Sequence, residues 1–482
     1  FEEVFHGKLF KDNQISKIFV LWKDLEENTY FSTGTAIDSG IKYNENTNKG
    51  ETFMDRKTIK DSLITGFAVF AIFFGAGNLI FPAAVGLSAG DQWPAAMLAM
   101  ILCGVVLPFL ALVAVANTGS SWSDLCKPVG TWYDKGVFFV ATVGMVILSN
   151  LPRTAATTHE VAIAPLFPSC PVWVTSVIFF ALVLFFAFDE NNIIDRIGKY
   201  ITPLMLVFLI IIVGKGLITP LGTPEPTGQE HVFKSAFVEL YYTGDLFSGL
   251  FVSTIFLTDL ARKGYETQEE RKKMTVKAVW VAGIASVIVY SGLLIMGADA
   301  VKLFDQGIDR TTLLAEMVRM ILGKFGTIAL SASAALACLS TASGLVGISA
   351  AFLENMTKKK VNYRTWVIGL CIFGAAMACI GVENIISVAA PVFMLLYPSG
   401  LAITVLGLFK KYVPNDGAFK GAVIGAVIAG IIDCLDTLGV SAAGEVMGYM
   451  PLASLGFGWI LPSIIGFAIG WAVGKKETEK TH

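Results

Sequence analysis

From about residue 62 to residue 474 the chain alternates long apolar runs with short breaks that are charged or rich in Pro and Gly. A helix needs about 20 mostly apolar residues to cross a bilayer. On that rule the pattern predicts spans at 62–84, 94–117, 136–163, 172–188, 197–218, 235–259, 274–298, 326–354, 364–381, 384–409, 418–437 and 452–474. The third is long and polar in its second half. The stretch 299–325 is different: Leu313, Leu314, Met317, Val318, Met320 and Ile321 recur at helical spacing, which predicts an interfacial loop helix. The expected fold class is all-α integral membrane, with about 12 transmembrane helices.

Composition agrees. The 482 residues are 54% hydrophobic and 15% charged, with a mean hydropathy of +0.66. Soluble domains carry about 25% charged residues, so this chain cannot cover itself with a solvated surface. A net charge of −2 and the lack of a basic tract give no support to a nucleic-acid partner. The first 53 residues are polar and mixed, and Met54 is the first methionine. Residues 1–53 are therefore read as a tag, read-through or soluble extension, and 54–482 as the functional domain.

Loop charges set an orientation. With the segment before Ser62 inside, the inner segments carry 23 Lys and Arg against 6 in the outer ones. The positive-inside rule then puts both termini in the cytoplasm, in agreement with an even number of spans. Of the seven cysteines, none has CxxC or His-paired zinc spacing. Cys170 and Cys434 could face one side and pair, although spacing alone is weak support for that, and packing is the expected role of the rest.

Two of the runs should not stay helical. The first contains Phe73-Phe74-Gly75-Ala76-Gly77-Asn78-Leu79-Ile80-Phe81-Pro82, with two glycines and an asparagine at mid-membrane. Backbone groups freed at that depth persist only where they are buried in protein or line a polar cavity. The sixth run repeats the oddity at Glu239-Leu240-Tyr241-Tyr242-Thr243-Gly244-Asp245, with an ionisable residue inside the break. Five spans separate the two breaks, so the sixth run enters from the opposite side. That predicts two inverted five-helix repeats, at about 62–218 and 235–409, followed by two C-terminal helices at about 418–474. Broken helices present N-terminal amides suited to a carboxylate and C-terminal carbonyls suited to a cation. A zwitterionic amino acid with a coupling cation matches that layout. In the eighth run, Ser340 and Thr341 add adjacent hydroxyls, hard oxygen ligands for an alkali cation, although such hydroxyls also bond their own i−4 carbonyls. Helix packing is the alternative for Gly75 and Gly77.

At these residues the chain resembles the branched-chain amino acid:cation symporter family (the BrnQ-type, LIVCS carriers). The resemblance runs from about Met54 to the C-terminus. Its specific pieces are the 73–82 segment, Leu151-Pro152-Arg153-Thr154-Ala155-Ala156, then Glu239, Tyr241, Thr243 and Asp245, and Tyr397-Pro398. Gly244 departs from the methionine expected before the aspartate. The resemblance implies uptake of leucine, isoleucine and valine across a bacterial-type plasma membrane, driven by Na+ or H+, on a LeuT-like fold. It implies that the amides of Gly75, Ala76 and Gly77 hold the substrate carboxylate, with Asn78 near the substrate or a second ion. It further implies an Na+ site from carbonyls of Ala71, Phe74 and Ala337 and the hydroxyls of Ser340 and Thr341. Tyr241, Thr243 and Asp245 join the substrate site, with Phe247 and Phe251 as its apolar pocket. No cofactor beyond the ion and no obligate protein partner is expected.

Other intramembrane polar residues are expected to find partners. Arg153 should pair with another helix through Asp245 or Glu239, with structural bracing as the alternative. His159 and Glu160 should reach the interface. Asp245 and Glu239 are the carboxylates to test if protons are coupled. His6, His231 and His482 carry no metal spacing. A membrane enzyme would need a nucleophile–base set or metal ligands at one depth, and the sequence shows neither. The alternative function is a carrier or non-transporting sensor for another small amino acid or a nucleobase.

Overall fold

The structure is a computed structural model that describes the backbone of residues 47–188 and 202–480, with side chains for 58–71, 73–188 and 204–474. The chain divides into two units, Phe1–Arg56 and Lys57–His482. The described elements are helical throughout, and the second unit contains the helical body.

The first predicted run is two helices, α1 (Thr47–Phe73) and α2 (Ala76–Ala89), interrupted at Phe74-Gly75. A 3-10 turn leads to α3 (Trp93–Met100), which passes through a π-helical stretch at Ile101–Val106 into α4 (Leu107–Thr118). After the short α5 (Trp122–Cys126), α6 (Thr131–Val140) runs through a second π stretch, Ala141–Asn150, into α7 (Leu151–Thr157). These two π stretches, unlike a third at Thr158–Ile163, each end immediately before a Leu-Pro pair. Proline lacks an N–H and crowds the carbonyl four residues back. A wider turn just ahead of it relieves that conflict without ending the helix. The second junction carries Asn150 and Arg153, so this local accommodation sets their positions.

The rest follows as α8 (Val172–Ala187), α9 (Thr202–Ile218), α10 (Val232–Tyr241), α11 (Asp245–Arg262), α12 (Gln268–Asp299), α13 (Arg310–Met356), α14 (Tyr363–Ala378), α15 (Val382–Leu408), α16 (Asp416–Thr437), α17 (Ser441–Gly448) and α18 (Ile460–Lys480). Among the described residues, seven helical stretches are long and apolar enough to cross a membrane, and Val172–Ala187, Leu204–Ile218, Tyr363–Ala378 and Ile460–Gly474 are apolar but shorter. Lipid-like surroundings remove the hydrophobic drive between helices, so close packing must hold them. Two glycines show how close. A Cβ built on Gly86 of α2 would lie 1.9 Å from the Leu294 carbonyl oxygen of α12, and one on Gly297 would lie 2.0 Å from that of Ala83.

Several expectations shift. Helix α13 absorbs the predicted loop helix: it bends at Gly323 (φ 60°), and Leu313, Leu314, Met317 and Val318 ahead of the bend are fully buried against protein. The amphipathic face was real, but its apolar side packs on the body instead of lying in an interface. The last predicted run, 452–474, starts later, at Ile460, because Leu452 (φ 64°) and Gly456 (φ 85°) hold left-handed backbone that a helix cannot pass through. The start of the 197–218 run, His6 and His482 lie outside the described residues. All seven cysteines are free thiols, Cys170 and Cys434 included.

Candidate functional site

The two breaks meet. Asn78, in the first turn of α2, donates its side-chain amide to the carboxylate of Asp245, the first residue of α11. The same nitrogen lies within hydrogen-bond reach of the Tyr290 hydroxyl on α12. All three side chains are buried. A polar cluster this deep fixes one arrangement of three helices, because each group would be costly to bury alone.

The breaks differ in how their backbone is satisfied. Helix α2 starts at Gly75 with no side-chain cap. The first N–H groups of a helix have no intrahelical acceptor, so those of Ala76, Gly77 and Asn78 are available to a ligand. At the second break, the chain leaves α10 through Tyr242 and Thr243 and turns at Gly244 (φ 80°). Here the freed carbonyls are occupied. Arg153 donates Nη1 to the Tyr242 oxygen at 2.8 Å and Nη2 to the Thr243 oxygen at 3.1 Å. Its Nη2 also reaches Asn150 Oδ1 at 2.9 Å. Gly244 is needed twice over: its φ is positive, and a Cβ there would lie 2.6 Å from Asn150 Nδ2. That accounts for glycine where methionine was expected.

A cavity of about 120 Å³, measured as space for the centres of water-sized molecules, lies against both breaks. Its polar lining includes Gly75, Ala76, Gly77, Asn78, Asn150, Arg153, Thr243, Asp245, Ser340 and Thr341. Phe73, Val252, Leu345 and Ile348 are among its apolar walls, and it continues to Ala351 and Tyr363. The Phe81 ring, fully buried, has the Arg153 guanidinium 5.5 Å and the Arg310 guanidinium 5.4 Å from its centroid. Arg310, at the start of α13, pairs with Glu239 of α10 at 2.6 Å and with Glu383 of α15. Glu160 adds a second tie, accepting from the Thr311 hydroxyl at 2.8 Å and the Val382 N–H at 3.1 Å.

The hydroxyl pair of the eighth run sits on α13 beside the first break. Ser340 Oγ is 3.2 Å from the carbonyl oxygens of both Ala71 and Ala337. Thr341 Oγ1 is buried with no hydrogen-bond partner among the described residues, and a Cβ on Gly75 would lie 2.9 Å from it. These oxygens converge from α1 and α13, a donor set of the hard type that alkali cations take. Phe74 stays on the α1 side, its ring stacked on Phe70 at 5.0 Å. Among the described residues, no three His, Cys, Asp or Glu side chains converge as a metal-binding group.

Three expected pocket residues lie elsewhere. On α11 the cavity face is Asp245, Ser248, Val252 and Ile255, a helical stripe that leaves positions 247 and 251 rotated away. Phe247 instead packs on Gly400, where its ring comes within 2.6 Å of a built Cβ, and Phe251 stacks 4.0 Å from Phe138. Tyr241 stands edge-on to Tyr397 at 4.7 Å, away from the cavity lining. Arg153 pairs with neither Asp245 nor Glu239, since Arg310 takes the latter. His159 is buried on Thr175 at 2.9 Å, and Glu160, half-buried, is tied to the starts of α13 and α15. Tyr290 and Asn150 had not been singled out. Tyr290 carries no sequence signal, being one tyrosine in an apolar run. Asn150 did carry one, a polar residue two positions before Pro152.

Residues 58–477 match the model of a family described as branched-chain amino acid transport protein. The branched-chain amino acid permease BraB of Bacillus subtilis is 29% identical over 434 residues, covering 86% of this chain and 96% of its own. The branched-chain amino acid transport system 2 carrier protein of Pseudomonas aeruginosa is 30% identical over 418 residues, covering 85% and 95%. Among solved structures, Mhp1, a nucleobase-cation-symport-1 family transporter in a closed conformation with bromovinylhydantoin bound, aligns with a TM-score of 0.55. That alignment covers 86% of this chain and 93% of Mhp1 at 14% identity, which shows the fold alone: the LeuT-like arrangement that the family resemblance implied. The relatives are permeases and carriers, and the chain is a multi-pass membrane transport protein, not an enzyme.

Proposed function

On the premise that this chain belongs to the branched-chain amino acid transport protein family, we propose that it is a secondary active symporter that imports leucine, isoleucine and valine. The observation that carries the reading is the uncapped start of α2, opening on a cavity that has a guanidinium and a carboxylate on its walls. The N–H groups of Gly75, Ala76 and Gly77 receive the substrate carboxylate, and Asp245 with Thr243 faces its ammonium. Phe73, Val252, Leu345 and Ile348 receive the branched side chain. Neighbours that differ by one methylene are separated by only ~1–3 kcal/mol in such a pocket, so the three substrates overlap.

The driving ion is Na+ or H+. For Na+, carbonyls of Ala71, Phe74 and Ala337 with Ser340 and Thr341 form the site, and the unpartnered Thr341 hydroxyl supports it. For H+, Asp245 is the carboxylate at the substrate, while Glu239 is engaged by Arg310. The membrane is a bacterial-type plasma membrane with both termini cytoplasmic. The cavity then runs towards the cytoplasm, and the Arg310 cluster closes the outer side, which supports one inward-facing stage of alternating access. Residues 54–482 form the transporter, in two inverted five-helix repeats followed by two C-terminal helices.

Labelled-leucine uptake into proteoliposomes, with Na+ and H+ gradients imposed separately, tests the reading. One gradient should drive accumulation that unlabelled isoleucine and valine suppress. No accumulation under either would overturn it.

A further inference from the structure

Arg153 is 3% exposed, yet among the described residues no carboxylate lies within 4.0 Å of it. An intramembrane cation without a paired anion is costly and faces a cavity or a functional partner. Its known acceptors are neutral: two backbone carbonyls and one amide oxygen. Five N–H donors point from a guanidinium, and its Nε–H is buried with no partner. The group also sits where a substrate anion would be. It lines the cavity; Nη2, whose two N–H groups are taken by Asn150 and Thr243, lies 3.1 Å from the Cβ position that Gly77 leaves empty, and the donors left for an anion are Nε–H and the second N–H of Nη1. A side chain at Gly77 would push the guanidinium away from the open amides of α2.

We propose that Arg153 is a substrate-binding residue, contributing a charge-assisted hydrogen bond to the amino-acid carboxylate alongside the α2 amides. This rests on the reading that the cavity binds an amino acid. The cavity wall then carries a positive pole, at Arg153 and the α2 N-terminus, and a negative one at Asp245. An amino-acid zwitterion has the same two charges on groups borne by one carbon. Carboxylate binding supplies the anion that Arg153 lacks, while its grip on Tyr242 and Thr243 ties occupancy of the first break to the geometry of the second. An α-amino amide or a simple amine keeps the ammonium and side chain but forfeits this contact.

The test is competition against labelled leucine on the purified full chain, using L-leucine and L-leucinamide as probes. With wild type, leucinamide should compete at least 100-fold more weakly than leucine. Arg153→Gln should weaken leucine by about 10- to 100-fold, the range for a hydrogen bond to a charged group, and change leucinamide by less than about three-fold. Arg153→Lys keeps the charge and should recover most of the leucine affinity; it also serves as the readout if the glutamine variant fails to fold. Equal weakening of both ligands by either variant would mean that Arg153 only braces the second break, and would overturn the proposal. Wild type that binds no leucine would overturn the amino-acid reading itself, a separate result.

Discussion

The two broken helices look alike in sequence and differ in what satisfies them. At the second break, the protein supplies its own partners: Arg153 holds the carbonyls of Tyr242 and Thr243, and Gly244 turns the chain against Asn150. At the first, the α2 amides have no cap and the Thr341 hydroxyl has no partner. Both α2 and α11 start without a side-chain cap; the difference is that the protein fills the carbonyl side of the second break, while the first has an unpartnered hydroxyl, Thr341, beside it. Discontinuity therefore does not by itself identify a binding site; unsatisfied polar groups beside a cavity do.

The contrast can be broken at either side. The largest effect is expected at the first break, from replacing Ser340 and Thr341 together by alanine. If Na+ is the coupling ion, leucine uptake driven by a sodium gradient should fall by more than about 100-fold, the loss of two ligands worth roughly 1.5 kcal/mol or more each. Unchanged sodium dependence in vesicles would remove both residues from the ion site. Next comes Gly77→Ala, which puts a Cβ 3.1 Å from both Arg153 Nη2 and Phe81 Cε2. It should raise the leucine KM by about 10-fold, since a displaced charged contact costs upwards of 1.4 kcal/mol, with little change in thermal stability. An unaltered KM would show that nothing binds at this turn. The smallest transport effect belongs to Gly244→Ala at the second break. Left-handed backbone costs a non-glycine residue about 1–2 kcal/mol, so the melting temperature should drop while the leucine KM changes only a few-fold. A KM effect larger than that of Gly77→Ala would reverse the assignment of the two breaks.

The sequence carried the architecture because its signals are one-dimensional. Spanning length, charge between spans and glycine at mid-membrane can be counted along a string, and the breaks at Gly75 and Gly244 fell where counted. What it did not carry is rotation about a helix axis. The family resemblance placed Phe247 and Phe251 in the pocket, but the cavity stripe on α11 passes through Ser248 and Val252. Partner choice was equally hidden. Arg153 and three acidic residues stood out as intramembrane or near-membrane charges, whereas Arg310 did not, and only three dimensions give Glu239 to Arg310 and two carbonyls to Arg153. Tyr290 reached the Asn78–Asp245 pair from a helix with no distinguishing residue around it.

The most direct measurement is an experimental structure of the protein with leucine bound. The substrate carboxylate should sit about 2.7–3.2 Å from the N–H groups at the start of α2, with its ammonium towards Asp245. A carboxylate bound at the Tyr242–Gly244 turn, or outside the cavity that both breaks line, would contradict the account.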